Sequence, residues 1–159
     1  MNQLHIATTF GHTPDGIQVE LNNNTIFEGA AFNGAIDLTP QPGVNQLRVH
    51  VRKKSTGNFV YDSTKNSIVY DSNVVVNEII IERRYFRSLL HKCGKVVVDR
   101  DLNPGFDRSE IFGSNIITME GAYYEIEFEY PVKFWMQKML HDRDLTLPTT
   151  YFNLIKTLL

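Results

Sequence analysis

The run Asp99-Arg-Asp101-Leu-Asn103-Pro-Gly105-Phe-Asp107-Arg-Ser-Glu110 sets oxygen-bearing side chains at its first, third, fifth, ninth and twelfth positions. Calcium loops of the EF-hand type use that spacing, because one short loop must wrap a large hard cation. The sixth position, where such a loop turns sharply through glycine, is Pro104, whose ring fixes φ, and the residues before it are patterned as a strand. Calcium at Asp99, Asp101, Asn103 and Glu110 is therefore a partial match only. The expectation is a polar loop in which Asp99 and Asp101 cap turns while Arg100 and Arg108 offset the charge. His91-Lys-Cys93 brings two soft ligands together, but zinc takes four and no second pair follows at motif spacing, so a solvated loop is expected there. Cys93 as a nucleophile needs a base and an oxyanion hole that a sequence does not reveal, and its setting among Lys92, Gly94 and Lys95 is suggestive through charge alone. Glu125, Glu127 and Glu129 resemble paired acids for hydrolysis, yet no His or Lys stands beside them in the sequence to split their acidities. With no Gly-x-Ser-x-Gly elbow, phosphate loop or dinucleotide fingerprint, the residues predict no catalytic centre, no metal and no cofactor.

The elements that carry these residues are strands. Leu4–Thr8, Ile17–Leu21, Thr25–Phe27, Ala35–Leu38 and Gln46–Val51 alternate apolar with polar residues, and Asn22–Asn24, Pro42-Gly43, Ser55–Gly57 and Asp71-Ser72 supply turn chemistry. Leu4–Thr8 is expected to pair with Ile17–Leu21 across the turn signal His12-Thr-Pro-Asp-Gly16. Asn73–Phe86 reads as a central strand with a bulge, or two strands meeting, at Asn77-Glu78. Lys95–Val98 and Asn115–Thr118 add further strands. From Tyr123 to Tyr130 the alternation is strongest, with Tyr124, Ile126, Phe128 and Tyr130 predicted as core and the glutamates outside.

At Pro131 the period changes. Val132, Trp135, Met136, Met139 and Leu140 recur at spacings of three and four, which predicts an amphipathic helix to about His141, with Trp135 packing it onto the sheet rather than stacking on a sugar. Tyr151, Phe152, Leu154, Ile155, Leu158 and Leu159 then form an apolar stripe, short enough that it must be buried somewhere. It either closes the domain's own core or docks into a partner. The expected fold is all-β, a jelly-roll-like sandwich over 1–130, with one or two short C-terminal helices over 131–159.

With 159 residues and 42% hydrophobic content, the chain suffices for one sizeable core. A net charge of −2 gives no field to draw phosphate backbones, so nucleic acid is not an expected partner. Arg48, Arg52, Lys53 and Lys54 form a local basic face that suits a guarded sheet edge or a solvated surface. The single Cys93 allows no internal disulfide. The start has no basic region followed by an apolar run, and no stretch nears a membrane span, so neither export nor membrane insertion is expected.

Two stretches carry a resemblance. Ile17–Gly29, Ile36–Leu38 and Pro42-Gly-Val-Asn-Gln-Leu-Arg-Val49 resemble the small sandwiches of calcium-dependent xylan-binding carbohydrate modules. Gly121–Trp135, a strand ending in Phe-Glu-x-Pro before an aromatic helix, is similar to accessory proteins of tailed bacteriophages. The resemblance implies a non-enzymatic virion subunit of head, neck or tail, assembled in the host cytoplasm. It would meet other virion proteins in several copies through Tyr151, Phe152, Ile155, Leu158 and Leu159. The alternative is a glycan-binding module with Phe59, Tyr61 and Tyr70 as stacking platforms.

Overall fold

The computed structural model describes residues 1–8, 16–53, 59–71, 73–105 and 109–141. In chain order the first strands are β1 (Gln3–Thr8), β2 (Gly16–Leu21), β3 (Asn24–Gly29), β4 (Gly34–Asp37), β5 (Gly43–Lys53), β6 (Phe59–Asp62), β7 (Ser67–Asp71), β8 (Val74–Ile81) and β9 (Arg84–Tyr85). A short helix α1 (Ser88–Cys93) leads to β10 (Lys95–Val97), β11 (Glu110–Phe112), β12 (Ile116–Ile117), β13 (Tyr123–Tyr130) and α2 (Val132–His141). The fold is an all-β, jelly-roll-like sandwich with two helices among the described residues. One sheet runs β12-β8-β1-β4 with β9 paired to β8; the other runs β11-β10-β13-β5-β2-β3; β6 and β7 form a separate hairpin.

Alternation explains the layering. Leu4 and Ile6 of β1, Val74, Val76, Ile79 and Ile81 of β8, and Ile117 of β12 are buried from one side. Ile17 and Val19 of β2, Leu47, Val49 and Val51 of β5, Val96 of β10 and Tyr124, Ile126 and Phe128 of β13 meet them from the other, in one continuous core. Burial of this apolar surface is the main stabilising term. Asn22 and Asn23 at φ 55° and 62° form the tight β2–β3 turn, where asparagine tolerates the left-handed conformation. Glu82 and Arg83 make a turn of the same kind between β8 and β9 (φ 52° and 63°), and Glu82 is held on both sides: its N–H donates to Asn2 Oδ1 (2.8 Å) and its carboxylate accepts the Val132 N–H (3.1 Å).

Four expectations need correction. β1 pairs with β4 and β8, and β2 lies in the other sheet, so Leu4–Thr8 and Ile17–Leu21 are not partners. A helix precedes Tyr130: His91 and Cys93 belong to α1 and not to a loop, because Leu89 and Leu90 need a helical turn to reach the core. Arg48 and Arg52 sit on β5, an interior strand between β13 and β2, so they guard no edge; Lys54 lies outside the described residues. A strand at Glu110–Phe112, too short for a period to show, pairs with β10. The bulge at Asn77-Glu78 is found where expected, with the β1 register shifting between His5 and Ile6. Trp135 is 4% exposed, its ring 5.2 Å from Phe86 and 6.3 Å from Phe128, which removes it as a sugar platform.

Candidate functional site

Alternation that buries one side of the six-stranded sheet turns the other side of β2, β5, β10, β11 and β13 outward, and register sets those side chains in rows. Phe112, Lys95, Glu125, Arg48, Glu20 and Thr25 stand side by side across the strands. Glu110, Val97, Tyr123, His50, Gln18 and Glu28 form the next row. Most of these groups are planar and polar, and they hold one another. Arg48 Nε donates to Glu125 Oε2 (2.7 Å) and its Nη1 to Asn23 Oδ1 (3.0 Å). Lys95 Nζ lies 2.6 Å from Glu110 Oε1 and 3.7 Å from Glu125 Oε1. Arg52 Nε donates to Gln18 Oε1 (2.7 Å), whose Nε2 donates in turn to Thr25 Oγ1 (2.7 Å).

The centre of the face is half-dry. Glu125, His50 and Glu20 side chains are 12, 13 and 17% exposed. His50 Nε2 lies 3.1 Å from Glu20 Oε2, and its ring sits 4.8 Å from that of Tyr123, over which the Arg48 guanidinium stands at 5.6 Å. The hydrogen bond that Arg48 donates to Glu125 pushes its guanidinium above the ordinary range, and the one that Lys95 donates to Glu110 does the same for the ammonium. Burial pulls the His50 imidazole below its ordinary range, a drop that the Glu20 hydrogen bond partly offsets. At the rim, Phe112 is 73% exposed, with Lys95 Nζ 5.8 Å from its ring centre.

A shallow groove of about 350 Å³ lies beside α2, lined by Val44, Cys93, Glu127, Phe128, Glu129, Trp135 and Met139. Cys93 lines it as a half-buried thiol, and no imidazole among the lining residues could serve it as a base. The three glutamates of β13 divide: Glu125 is gripped by Arg48 and Lys95 on the sheet face, while Glu127 and Glu129 border this groove.

The remaining sequence candidates are dispersed. Asp99 Oδ1 accepts the backbone N–H of Asp101 (2.9 Å), so it caps a turn, and Asn103 Nδ2 donates to the carbonyls of Asp99 and Glu120. Glu110 points to Lys95 instead of toward them. Among the described residues no group of three or more His, Cys, Asp or Glu could hold a metal ion. Strands β6 and β7 carry Phe59, Tyr61 and Tyr70, with Val60 opposite Tyr70 and Tyr61 opposite Ile68, but those side chains lie outside the described residues. Tyr151, Phe152, Ile155, Leu158 and Leu159 also lie outside them. No described helix is long and apolar enough to cross a membrane.

No protein-family model matches the sequence, and no curated protein does. Among solved structures the chain is similar to one titled "vCBM60 in complex with galactobiose", with TM-score 0.47 and 11% identity. That match covers 80% of this chain and 96% of the other. The likeness assigns no site.

Proposed function

We propose that this chain is a non-catalytic recognition domain that binds an uncharged glycan across the outer face of its six-stranded sheet. The carrying observation is the pair of side-chain rows around Tyr123, in which planar donors and acceptors are locked in place beside an aromatic ring. Sugars offer paired hydroxyls to such groups and an apolar C–H face to rings. Side chains already fixed by their neighbours lose little further freedom when a ligand arrives. Charge favours a neutral ligand: Arg48, Arg52 and Lys95 each already meet an acceptor, while no described cation pairs with Glu28, Glu127 or Glu129. A polyanion would therefore meet unmatched carboxylates.

The test is a panel of neutral and uronate oligosaccharides, galactobiose among the neutral ones, measured by calorimetry against the wild type, Tyr123→Ala and Phe112→Ala. Binding of a neutral member, weakened at least about tenfold in Tyr123→Ala with the melting temperature kept, is expected. No binding by any member overturns the reading.

A second reading is a multi-copy virion subunit whose contacts run through Tyr151, Phe152, Ile155, Leu158 and Leu159. It is favoured by the exposed apolar side chains Phe134 on α2 (69%) and Val44 beside the α2 groove (66%). Deleting residues 149–159 then abolishes assembly while the sandwich still folds; a full-length chain that stays monomeric at high concentration and with particle proteins sinks it.

A further inference from the structure

We propose that occupancy of this sheet face is coupled to a proton carried by His50, so that ligand is held at neutral pH and released on acidification; the proposal rests on the glycan reading of the same face.

Geometry isolates His50. On its own strand the side chains two residues away on the same face are Arg48 and Arg52. From β2 it faces Glu20, at 3.1 Å, and uncharged Gln18, its register partner. From β13 it faces Tyr123, whose ring centre is 4.8 Å away, and beyond that Glu125. Further along the rows stand Lys95 on β10 and Glu28 on β3. Of the acids nearest it, Glu125 is held by Arg48 and Lys95, which leaves Glu20 as the counter-charge for an imidazolium. The Tyr123 ring already lies under the Arg48 guanidinium, so a second cation gains less there.

A sugar ring laid on Tyr123 covers what remains of the 13% exposure of His50. Removing that water costs the charged imidazole far more than the neutral one, so bound ligand and bound proton oppose each other. Linkage is reciprocal: if ligand weakens proton binding, the proton weakens ligand binding by the same factor. The free protein starts in the right direction, since burial already holds His50 below its ordinary range.

Two measurements test this. In the ligand-free protein, NMR titration of the His50 ring is expected to give a midpoint below that of a model histidine. Tyr123 ring and Glu20 amide signals should move at the same midpoint, and the movement should vanish in His50→Gln. A His50 midpoint at or above that of a solvent-exposed histidine, or Tyr123 and Glu20 signals that ignore it, overturns the proposal whatever the ligand. In the second measurement, affinity for the neutral oligosaccharides of the panel is followed from pH 7.5 to 5. It is expected to fall by up to about tenfold per pH unit below the His50 midpoint in wild type and to stay level in His50→Gln. Equal wild-type affinity at both ends overturns the coupling while the glycan reading stands; no binding at any pH overturns both.

Discussion

Asn45 shows how one side chain can hold a corner of the sandwich. It is fully buried, and its amide accepts from Asn22 Nδ2 (2.9 Å) and the Gln41 N–H (2.8 Å) while donating to the carbonyls of Gln41 (2.7 Å) and Gly43 (2.9 Å). Asn22 in turn accepts the Gln46 N–H (2.8 Å), so the network joins the β2–β3 turn to the start of β5. Asn45→Ala strands those four partners at once, and a buried unpaired group costs about 1–3 kcal/mol, so a total loss of roughly 2–4 kcal/mol in urea unfolding is expected. A loss below about 1 kcal/mol would mean that water replaces the amide. His50 sets a pH dependence at the same scale. Its folded-state pKa lies below the unfolded value, so the unfolded chain binds more protons in the window just under the ordinary histidine value of 6.5. Stability is therefore expected to be full above that window and to decline as pH falls through it toward the folded midpoint. His50→Gln should flatten that decline in thermal melts taken from pH 7.5 to 5.

The junction of α1 with β10 depends on a residue with no side chain. A Cβ on Gly94 would stand 2.1 Å from the Tyr124 hydroxyl and 2.4 Å from the Leu90 carbonyl, the very pair joined by the 2.9 Å Tyr124 hydrogen bond. Gly94→Ala must push apart α1 and β13, at a cost of about 1–3 kcal/mol, although its φ of −89° suits alanine. Circular dichroism melts check this, and a neutral substitution would show that α1 moves freely. Such junctions explain what the sequence discloses and what it hides. Alternation in Tyr123–Tyr130 and Gln46–Val51 marks the faces of β13 and β5 plainly. It does not say which sheet a strand joins: β1 and β2 carry the same pattern because they approach one core from opposite sides. Six residues of α1 are too few to display a helical period, with the Leu89-Leu90 pair as the one hint. The candidate face was hidden for a different reason. Arg48 and Glu125 are 77 residues apart, and only the β5–β13 register makes them neighbours.

At the scale of the whole molecule, α2 acts as the clasp between the sheets. Trp135 packs on Phe86, which follows the β8–β9 hairpin of one sheet, and on Phe128 of β13 in the other, while Phe86 and Phe128 meet edge to face at 5.5 Å. Val132 and Met136 belong to the same continuous core as Leu4, Val49 and Ile81. A helix attached that way cannot leave without opening both sheets, so the described fold should unfold as one unit. The chain has a single tryptophan, which makes the expectation easy to read. In guanidinium, Trp135 fluorescence should report the clasp and far-UV circular dichroism the sheets, and the two transitions are expected to coincide in midpoint and slope. Trp135→Ala, followed by circular dichroism, should lower the stability by about 3–5 kcal/mol while leaving a single transition, because the cavity opens at the shared core. A fluorescence change that precedes loss of the sheet signal would instead make α2 a separately docked element, and the clasp would then lock neither sheet to the other.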